Sequence, residues 1–179
     1  MRTGSRPFLR TAAVLVALVA LASACGNTSP GTTISQGPGA PDAARLPAVL
    51  VSNLDGTAVS LPSLATGTPL LINYWYATCP PCKEEMPALS ALAAEFTGRV
   101  NFVGINPQDD AATAQRVAAE RGTTYLQLLD STQRSVDALG LTGFPTTVLV
   151  TRFGTIAGTL RKSFTEGELR DLINRTLLS

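Results

Sequence analysis

Histidine is absent from this chain of 179 residues, and its absence excludes several kinds of site at once. Ser-His-Asp and Cys-His catalysis, histidine-ligated zinc and histidine-ligated haem all need an imidazole ring. An excess of one charge is also missing, because 14 Lys and Arg face 13 Asp and Glu. Without a basic field the surface has little to neutralise a nucleic-acid backbone, so we do not expect nucleic acid as a partner.

Long apolar runs are scarce as well, and the longest lies at the start of the chain, from Ala12 to Ala22. A membrane-spanning helix needs roughly 20 apolar residues, so this run is too short for a permanent anchor. Arg2, Arg6 and Arg10 precede it, and basic residues ahead of a short apolar run are typical of an export signal. We therefore predict that the protein is exported.

The segment Leu21-Ala22-Ser23-Ala24-Cys25 follows and resembles the lipobox of bacterial lipoproteins. That resemblance implies acylation of Cys25, a signal peptide over residues 1–24 and an extracytoplasmic protein anchored to the cell membrane. The alternative is ordinary secretion with a free Cys25. Residues 25–45 are rich in Gly, Pro, Ser and Thr and predict a flexible tether, which leaves 46–179 as a single folded domain.

Short strand-like runs alternate with longer helical ones over the domain, and this order predicts an α/β fold. The run 70–76 is apolar on both faces, as in a central strand covered by helices. The other predicted elements are a helix over 80–97, a strand over 100–106, a helix over 111–121 that ends at Gly122, a hairpin of 147–151 with 155–160, and a last helix that opens at Thr165.

Cys79-Pro80-Pro81-Cys82 stands at the junction of the predicted central strand and the helix that follows. A thiolate at a helix N-terminus faces unpaired N–H groups and the positive end of the helix dipole, which lower its pKa. Cys79 is therefore predicted to attack as the nucleophile. Cys82, one turn into the helix, is predicted to act second and to break the mixed disulfide that Cys79 forms with a substrate.

Residues 72–87, INYWYATCPPCKEEMP, resemble the active-site segment of the TlpA/ResA-like thioredoxin family. The match implies a thioredoxin-like fold with a central mixed β-sheet flanked by helices. It also places Trp75 on the family tryptophan, Glu85 on a glutamate associated with proton transfer, and Pro87 on the proline of the active-site helix. Gly143-Phe144-Pro145-Thr146-Thr147 matches the family loop that carries a cis-proline opposite the cysteines.

The resemblance assigns Trp75, Phe144 and Pro145 to substrate binding, with the backbone before Pro145 pairing with the substrate chain. Two residues depart from the family pattern. Thr78 replaces the aromatic residue often found before the first cysteine, which puts the surface offered to partners in question. Asn73 stands where thioredoxins have a buried aspartate, and because an amide cannot accept the proton of Cys82, Glu85 remains as the proton relay.

Plainer interpretations stay open at this point. The cysteines could form a purely structural disulfide, although a four-residue loop would gain only about 2 kcal/mol. Trp75 could serve packing alone, Glu85 could be an exposed helix residue, and the bond before Pro145 could be trans. The pair Asp109-Asp110 is predicted to cap the second helix. A peroxiredoxin-like peroxidase shares the fold, but its motif has Thr where this chain has Tyr76.

These observations predict a membrane-anchored extracytoplasmic thiol–disulfide oxidoreductase that acts on cysteines of exported proteins. Its only redox group is the disulfide Cys79-Cys82, and we expect no other cofactor, no metal and a monomer. Relatives with this motif mostly act as reductants, for example in cytochrome c maturation, and a reductant needs a membrane electron donor. The alternatives are an oxidant in the folding of exported proteins and a binding module without redox activity.

Overall fold

The structure, a computed structural model, describes residues 44–179. Seven strands and four helices occur in this part of the chain. The strands are β1 (Leu50–Asn53), β2 (Ala58–Ser60), β3 (Leu70–Tyr74), β4 (Asn101–Asn106), β5 (Leu126–Leu129), β6 (Thr146–Val150) and β7 (Ile156–Leu160). The helices are α1 (Pro80–Glu95), α2 (Ala111–Glu120), α3 (Arg134–Ala138) and α4 (Glu166–Leu177), and a 3-10 turn spans Leu61–Ala65.

The strands form one mixed sheet in the order β2-β1-β5-β4-β3-β6-β7. Strands β3, β4 and β5 run parallel, and every other neighbouring pair is antiparallel. Strand β3 therefore lies inside the sheet, between a parallel and an antiparallel neighbour. This arrangement confirms the predicted α/β class and the central mixed sheet flanked by helices.

All five residues of β3 are buried, because both faces of the sheet are covered. Ile72 and Tyr74 point to the face that α3 and the 3-10 turn cover, where they pack in one cluster with Leu61 and Val136. The opposite face packs against the other three helices. Its buried contacts include Leu71 with Leu89 of α1 and Leu169 of α4, and Trp75 with Val117 of α2.

The predicted elements are confirmed, with ends that differ by one or two residues. Helix α2 ends one residue early because Gly122, at φ +65°, turns the chain. Thr165 is the N-cap of α4 and forms a reciprocal capping box with Glu168. The backbone of Ala44 bonds to Ile156 N at 2.7 Å, two residues ahead of the predicted start of the domain.

Five elements have no counterpart in the sequence prediction: β1, β2, β5, α3 and the 3-10 turn. Strands of three or four residues and a five-residue helix are too short for apolar periodicity to reveal them. Strand β5 also exposes Leu126 at its start, which weakens the expected burial pattern. These segments depend on their neighbours in the sheet, because β5 pairs with both β4 and β1.

The predicted export signal, Cys25 and most of the tether lie outside the described residues. Within residues 44–179, no helix is long and apolar enough to cross a membrane.

Candidate active site

The two cysteines lie where the chain leaves the central strand and enters α1. Cys79 is the N-cap of α1, and its Sγ accepts a hydrogen bond from the N–H of Cys82 at 3.3 Å. The two sulfur atoms are 2.00 Å apart and form a disulfide. Cys82 is fully buried and Cys79 keeps 2 % of its surface exposed. Both cysteines are thus buried, and the order in which Cys79 attacks and Cys82 follows stays a prediction.

Three prolines shape the first turns of α1. Pro80 and Pro81 occupy its first two positions, where a missing N–H does not interrupt the helical hydrogen bonds. They also remove two of the backbone donors that a helix start would otherwise offer to Cys79. Pro87 lies inside the helix and cannot bond back to the carbonyl of Lys83.

Glu85 lies three residues after Cys82, on the same face of α1. Its side chain is buried, with 3 % of its surface exposed, so the alternative of an exposed helix residue is wrong. Oε1 of Glu85 accepts a hydrogen bond from Nδ2 of Asn73 at 2.7 Å, whereas Oε2 has no partner among the described residues. Burial raises the pKa of Glu85 to about 8, against the opposing effect of the Asn73 hydrogen bond.

A row of four residues crosses the sheet beneath α1, one from each of four neighbouring strands. Asn73 of β3 is in register with Thr147 of β6 on one side and with Gly104 of β4 on the other. Gly104 is in register with Gln127 of β5. The Gln127 side chain lies across Gly104 so closely that a Cβ at residue 104 would collide with its amide group. Glycine at this position is therefore required for Gln127 to reach the centre of the sheet.

Trp75 bonds to the Gln127 side chain that lies across Gly104. Its Nε1 donates to Oε1 of Gln127 at 2.9 Å, and its ring packs in one cluster with Cys79, Cys82 and Met86. The indole is fully buried. The ring therefore packs against the cysteine pair, and the assignment of Trp75 to substrate binding stays a prediction.

The loop before β6 carries the predicted proline. The Phe144-Pro145 peptide bond is cis, as the resemblance implied. Pro145 is buried and Phe144 is half-buried. The Phe144 ring meets Tyr76 edge to face, with 5.6 Å between the ring centroids. Sequence reasoning missed Tyr76 as a neighbour of this loop, since the pairing joins two residues that are far apart in the chain.

Of the predicted capping pair, only Asp110 caps α2. Asp110 is the N-cap, and its Oδ1 accepts from Thr113 N at 2.7 Å. The prediction for Asp109 is wrong, because its carboxylate turns away from α2. Oδ2 of Asp109 accepts from Ala77 N at 2.6 Å, in the loop that leads to Cys79.

The described residues contain no group of three or more Cys, Asp, Glu or His side chains that could hold a metal ion. The chemistry that the site offers is that of the cysteine pair itself. Two sulfur atoms at a helix start, with a buried carboxyl group on the same helix face, can exchange a disulfide and move the accompanying proton. The individual roles of Cys79, Cys82 and Glu85 stay predictions.

Comparison with known proteins agrees with this chemistry. The family model described as Redoxin matches residues 36–173. Thiol-disulfide oxidoreductase ResA of Bacillus subtilis (strain 168) is 25 % identical over 177 residues, which cover 97 % of this chain and 95 % of that protein. Thiol-disulfide oxidoreductase ResA of Halalkalibacterium halodurans is 30 % identical over 108 residues, 60 % of this chain and 61 % of that protein.

Among solved structures, a secreted Mycobacterium tuberculosis disulfide oxidoreductase homologous to Escherichia coli DsbE superposes with a TM-score of 0.64. It is 24 % identical, and the match covers 72 % of this chain and 96 % of that one. At this identity the likeness establishes the fold, which is thioredoxin-like.

Proposed function

We propose in which direction this protein transfers electrons and in which cell compartment it does so. The chain belongs to the Redoxin family. Its relatives include thiol-disulfide oxidoreductases, of which the one from Bacillus subtilis matches over 95 % of its length and the one from Halalkalibacterium halodurans over 61 %, and the chain is an enzyme of that class. Beyond the class, we propose that it is anchored outside the cytoplasm and reduces disulfides of exported proteins. The observation that carries the proposal is Cys79 at the start of α1 with few backbone donors around its sulfur.

The direction follows from how the thiolate of Cys79 is stabilised. A pair becomes oxidising when its reduced form is strongly stabilised, and reducing when it is not. Of the first three residues of α1, only Cys82 has an N–H to offer, because Pro80 and Pro81 have none. In the disulfide form this donor lies 3.3 Å from Sγ of Cys79, and we expect it to be the single N–H from these three residues that meets the Cys79 thiolate in the reduced form. The reduced protein therefore gives up its electrons readily.

The proposed reaction balances over two exchange steps. In the reduced protein, the Cys79 thiolate attacks a substrate disulfide, forms a mixed disulfide and releases the first substrate sulfur as a thiolate, which takes a proton from solvent. Cys82 then loses its proton to ionised Glu85 and attacks the Cys79 sulfur, which releases the second substrate sulfur as a thiolate and leaves the Cys79–Cys82 disulfide. The proton held by Glu85 passes to this second thiolate. Two electrons pass to the substrate, and a membrane electron donor restores the thiols. The loop at Phe144-Pro145 holds the substrate segment in an extended pose beside Cys79.

Apocytochrome thiols are the example of a substrate that we propose. A c-type haem attaches at a C-x-x-C-H motif, and both cysteines must be reduced before it does. Exported proteins meet oxidising conditions, so such motifs form disulfides unless a reductant acts outside the cytoplasm. The second candidate is the opposite direction, oxidation of exported proteins, which uses the same residues.

The reduction potential decides between the two directions. We expect the purified protein, equilibrated in glutathione buffers, to show a potential near or below about −250 mV. Trp75 is the only tryptophan and packs with both cysteines, so its fluorescence reports the redox state. A potential near about −150 mV would support the oxidant instead. A protein with no redox transition would contradict electron transfer in either direction.

The anchor has a test of its own. We propose residues 1–24 as signal peptide, acylated Cys25 as lipid anchor, 25–45 as tether and 46–179 as domain. We expect Cys25→Ser to move the protein from the membrane fraction to the soluble extracytoplasmic fraction, because without the thiol no lipid can be attached. The protein should keep its disulfide exchange with a soluble substrate. If Cys25→Ser stays in the membrane fraction, lipid attachment at Cys25 is wrong.

A further inference from the structure

A carboxylate from a neighbouring loop holds the segment between β3 and Cys79. Oδ2 of Asp109 accepts a hydrogen bond from the backbone N–H of Ala77 at 2.6 Å. The same oxygen accepts from Nδ2 of Asn106 at 2.8 Å. Asp109 follows β4, whereas Ala77 follows β3, so this carboxylate joins the ends of two neighbouring parallel strands.

Asn106 fixes the position of the Asp109 carboxylate. Asn106, the last residue of β4, is 1 % exposed. Its Oδ1 accepts from the backbone N–H groups of Gln108 and Asp109, at 3.0 and 2.9 Å. Asn106 thus orients the turn that presents Asp109, and Asp109 in turn fixes Ala77. A charge-assisted hydrogen bond of 2.6 Å is at the short end of its class, and such bonds are stronger than neutral ones.

Ala77 is two residues before Cys79 and belongs to the same turn, in which Cys79 N donates to the carbonyl of Tyr76 at 3.1 Å. The bond from Ala77 N to Asp109 at 2.6 Å and the turn bond from Cys79 N to Tyr76 O at 3.1 Å, with standard covalent geometry, keep the Asp109 charge within about 12 Å of the Cys79 sulfur. Salt screens this charge only in part, because Cys79 is buried and Asp109 is half-buried. A negative charge so near opposes the formation of a second one on Cys79.

We propose that Asp109 is a positioning residue for the attacking thiol, and that its negative charge disfavours the thiolate form of Cys79. The proposal deepens the function above and rests on Cys79 as the attacking group. Asp109 acts through the loop and touches no reacting atom. Its effect has the same sign as the shortage of backbone donors at Pro80 and Pro81: both make the reduced pair a better electron donor.

Other ionisable groups near the pair lie on α1, at the start of α2 and in the loop before Cys79, where the half-buried Tyr76 packs against the cluster of the two cysteines. Lys83 is half-buried, Glu84 is exposed and Glu85 is buried on the face of α1 toward the sheet. Asp110 is exposed and its carboxylate bonds to Thr113 N at the start of α2. Asp110 therefore provides a matched control: a carboxylate of the same charge, one residue away, that holds a different element.

The test compares Asp109→Asn, Asp109→Ala and Asp110→Asn in the full-length protein. The reduced proteins are alkylated with iodoacetamide over a range of pH, and the rate at Cys79 gives its apparent pKa. Asn keeps an oxygen that Ala77 can bond to but removes the charge. We expect Asp109→Asn to alkylate about threefold faster than the unmodified sequence below the pKa of the thiol, because a half-buried unit charge at that range acts through an effective dielectric between those of the protein interior and of water.

Asp110→Asn should leave the alkylation profile unchanged, since asparagine also caps helices well. Asp109→Ala should show the faster alkylation together with a lower melting temperature, because the N–H of Ala77 loses its partner. If Asp109→Asn and Asp110→Asn both follow the profile of the unmodified protein, the proposal is overturned, and a melting-temperature change alone would show a structural role. Failure of the proposed function is a separate result, seen as an unmodified protein that exchanges no disulfides.

Discussion

Cys82→Ser is expected to turn the protein into a covalent trap for its substrates. Cys79 still attacks a substrate disulfide, but the mixed disulfide persists because the second thiol is missing. Cys82 is buried one helical turn from Cys79, so its thiol is placed to attack the mixed disulfide. Turnover should fall by about a thousandfold or more, and covalent complexes should accumulate on non-reducing gels.

Two control variants sharpen this experiment. Cys79→Ser should lose turnover to the same extent and form no complex, because the attacking thiol is gone. Cys25→Ser, which removes the remaining cysteine of the chain, should leave turnover on a soluble substrate unchanged. Complexes that form through Cys82 when Cys79 is replaced would contradict the assigned order. Full turnover in either variant would identify the pair as a structural disulfide.

The parts of this site that sequence predicts are those in which neighbours in the chain are neighbours in space. A buried strand, two cysteines and a helix follow one another within residues 70–95, so the placement of Cys79 at a helix N-terminus follows from local patterns. The proline loop was predicted from a motif at Gly143-Phe144-Pro145. The structure has that bond in the cis form.

The parts that sequence does not predict depend on strand register. Gln127 reaches Trp75 only because β5, β4 and β3 align Gln127 with Gly104 and Gly104 with Asn73. A single sequence gives no register between strands that are far apart in the chain. The strand that carries Gln127 is also too short for its periodicity to be recognised. The full burial of Trp75 follows from the same contacts.

Asp109 shows a different limit of prediction from sequence. Two adjacent aspartates before a helix both fit the capping signal, but a helix has one N-cap position, and Asp110 occupies it. The side chain of Asp109 is then free to bond elsewhere. Its partner is the backbone N–H of Ala77, and because every residue except proline has such a group, the sequence does not indicate this bond. Only the folded chain shows that this carboxylate holds the loop of the cysteine pair.

Glu85 gives the last prediction, which concerns the pH dependence of stability. The pKa of Glu85 is about 8 in the folded protein because of burial, and its ordinary value is about 4.5. Between these values the folded state binds a proton that the unfolded state has lost. The contribution of this bound proton to the free energy of unfolding is fully present below about pH 4.5 and is lost as the pH rises toward 8. The free energy of unfolding should fall over this range by several kcal/mol, at most about 5.

Glu85→Gln should remove this dependence. Glutamine has the same shape, cannot ionise, and keeps an oxygen for the hydrogen bond from Asn73. Urea denaturation of the oxidised protein at pH 5, 6, 7 and 8 measures the effect. The curve for Glu85→Gln should be flatter, and Glu84→Gln, an exposed neighbour on the same helix, should retain the full slope. Equal slopes in all three proteins would mean that Glu85 ionises as an ordinary exposed carboxyl group does.

The same variant tests the proton relay. An ordinary thiol has a pKa of about 8.5, so Glu85, with a pKa of about 8, can take the proton of Cys82 at little cost in free energy when it is ionised, which is about a tenth of the time at pH 7. Loss of that acceptor should slow the release of the mixed disulfide by roughly a hundredfold near pH 7. The deficit should shrink above pH 9, where hydroxide removes the proton of Cys82 instead. A pH-independent deficit would instead assign Glu85 a role in packing beneath the cysteine pair.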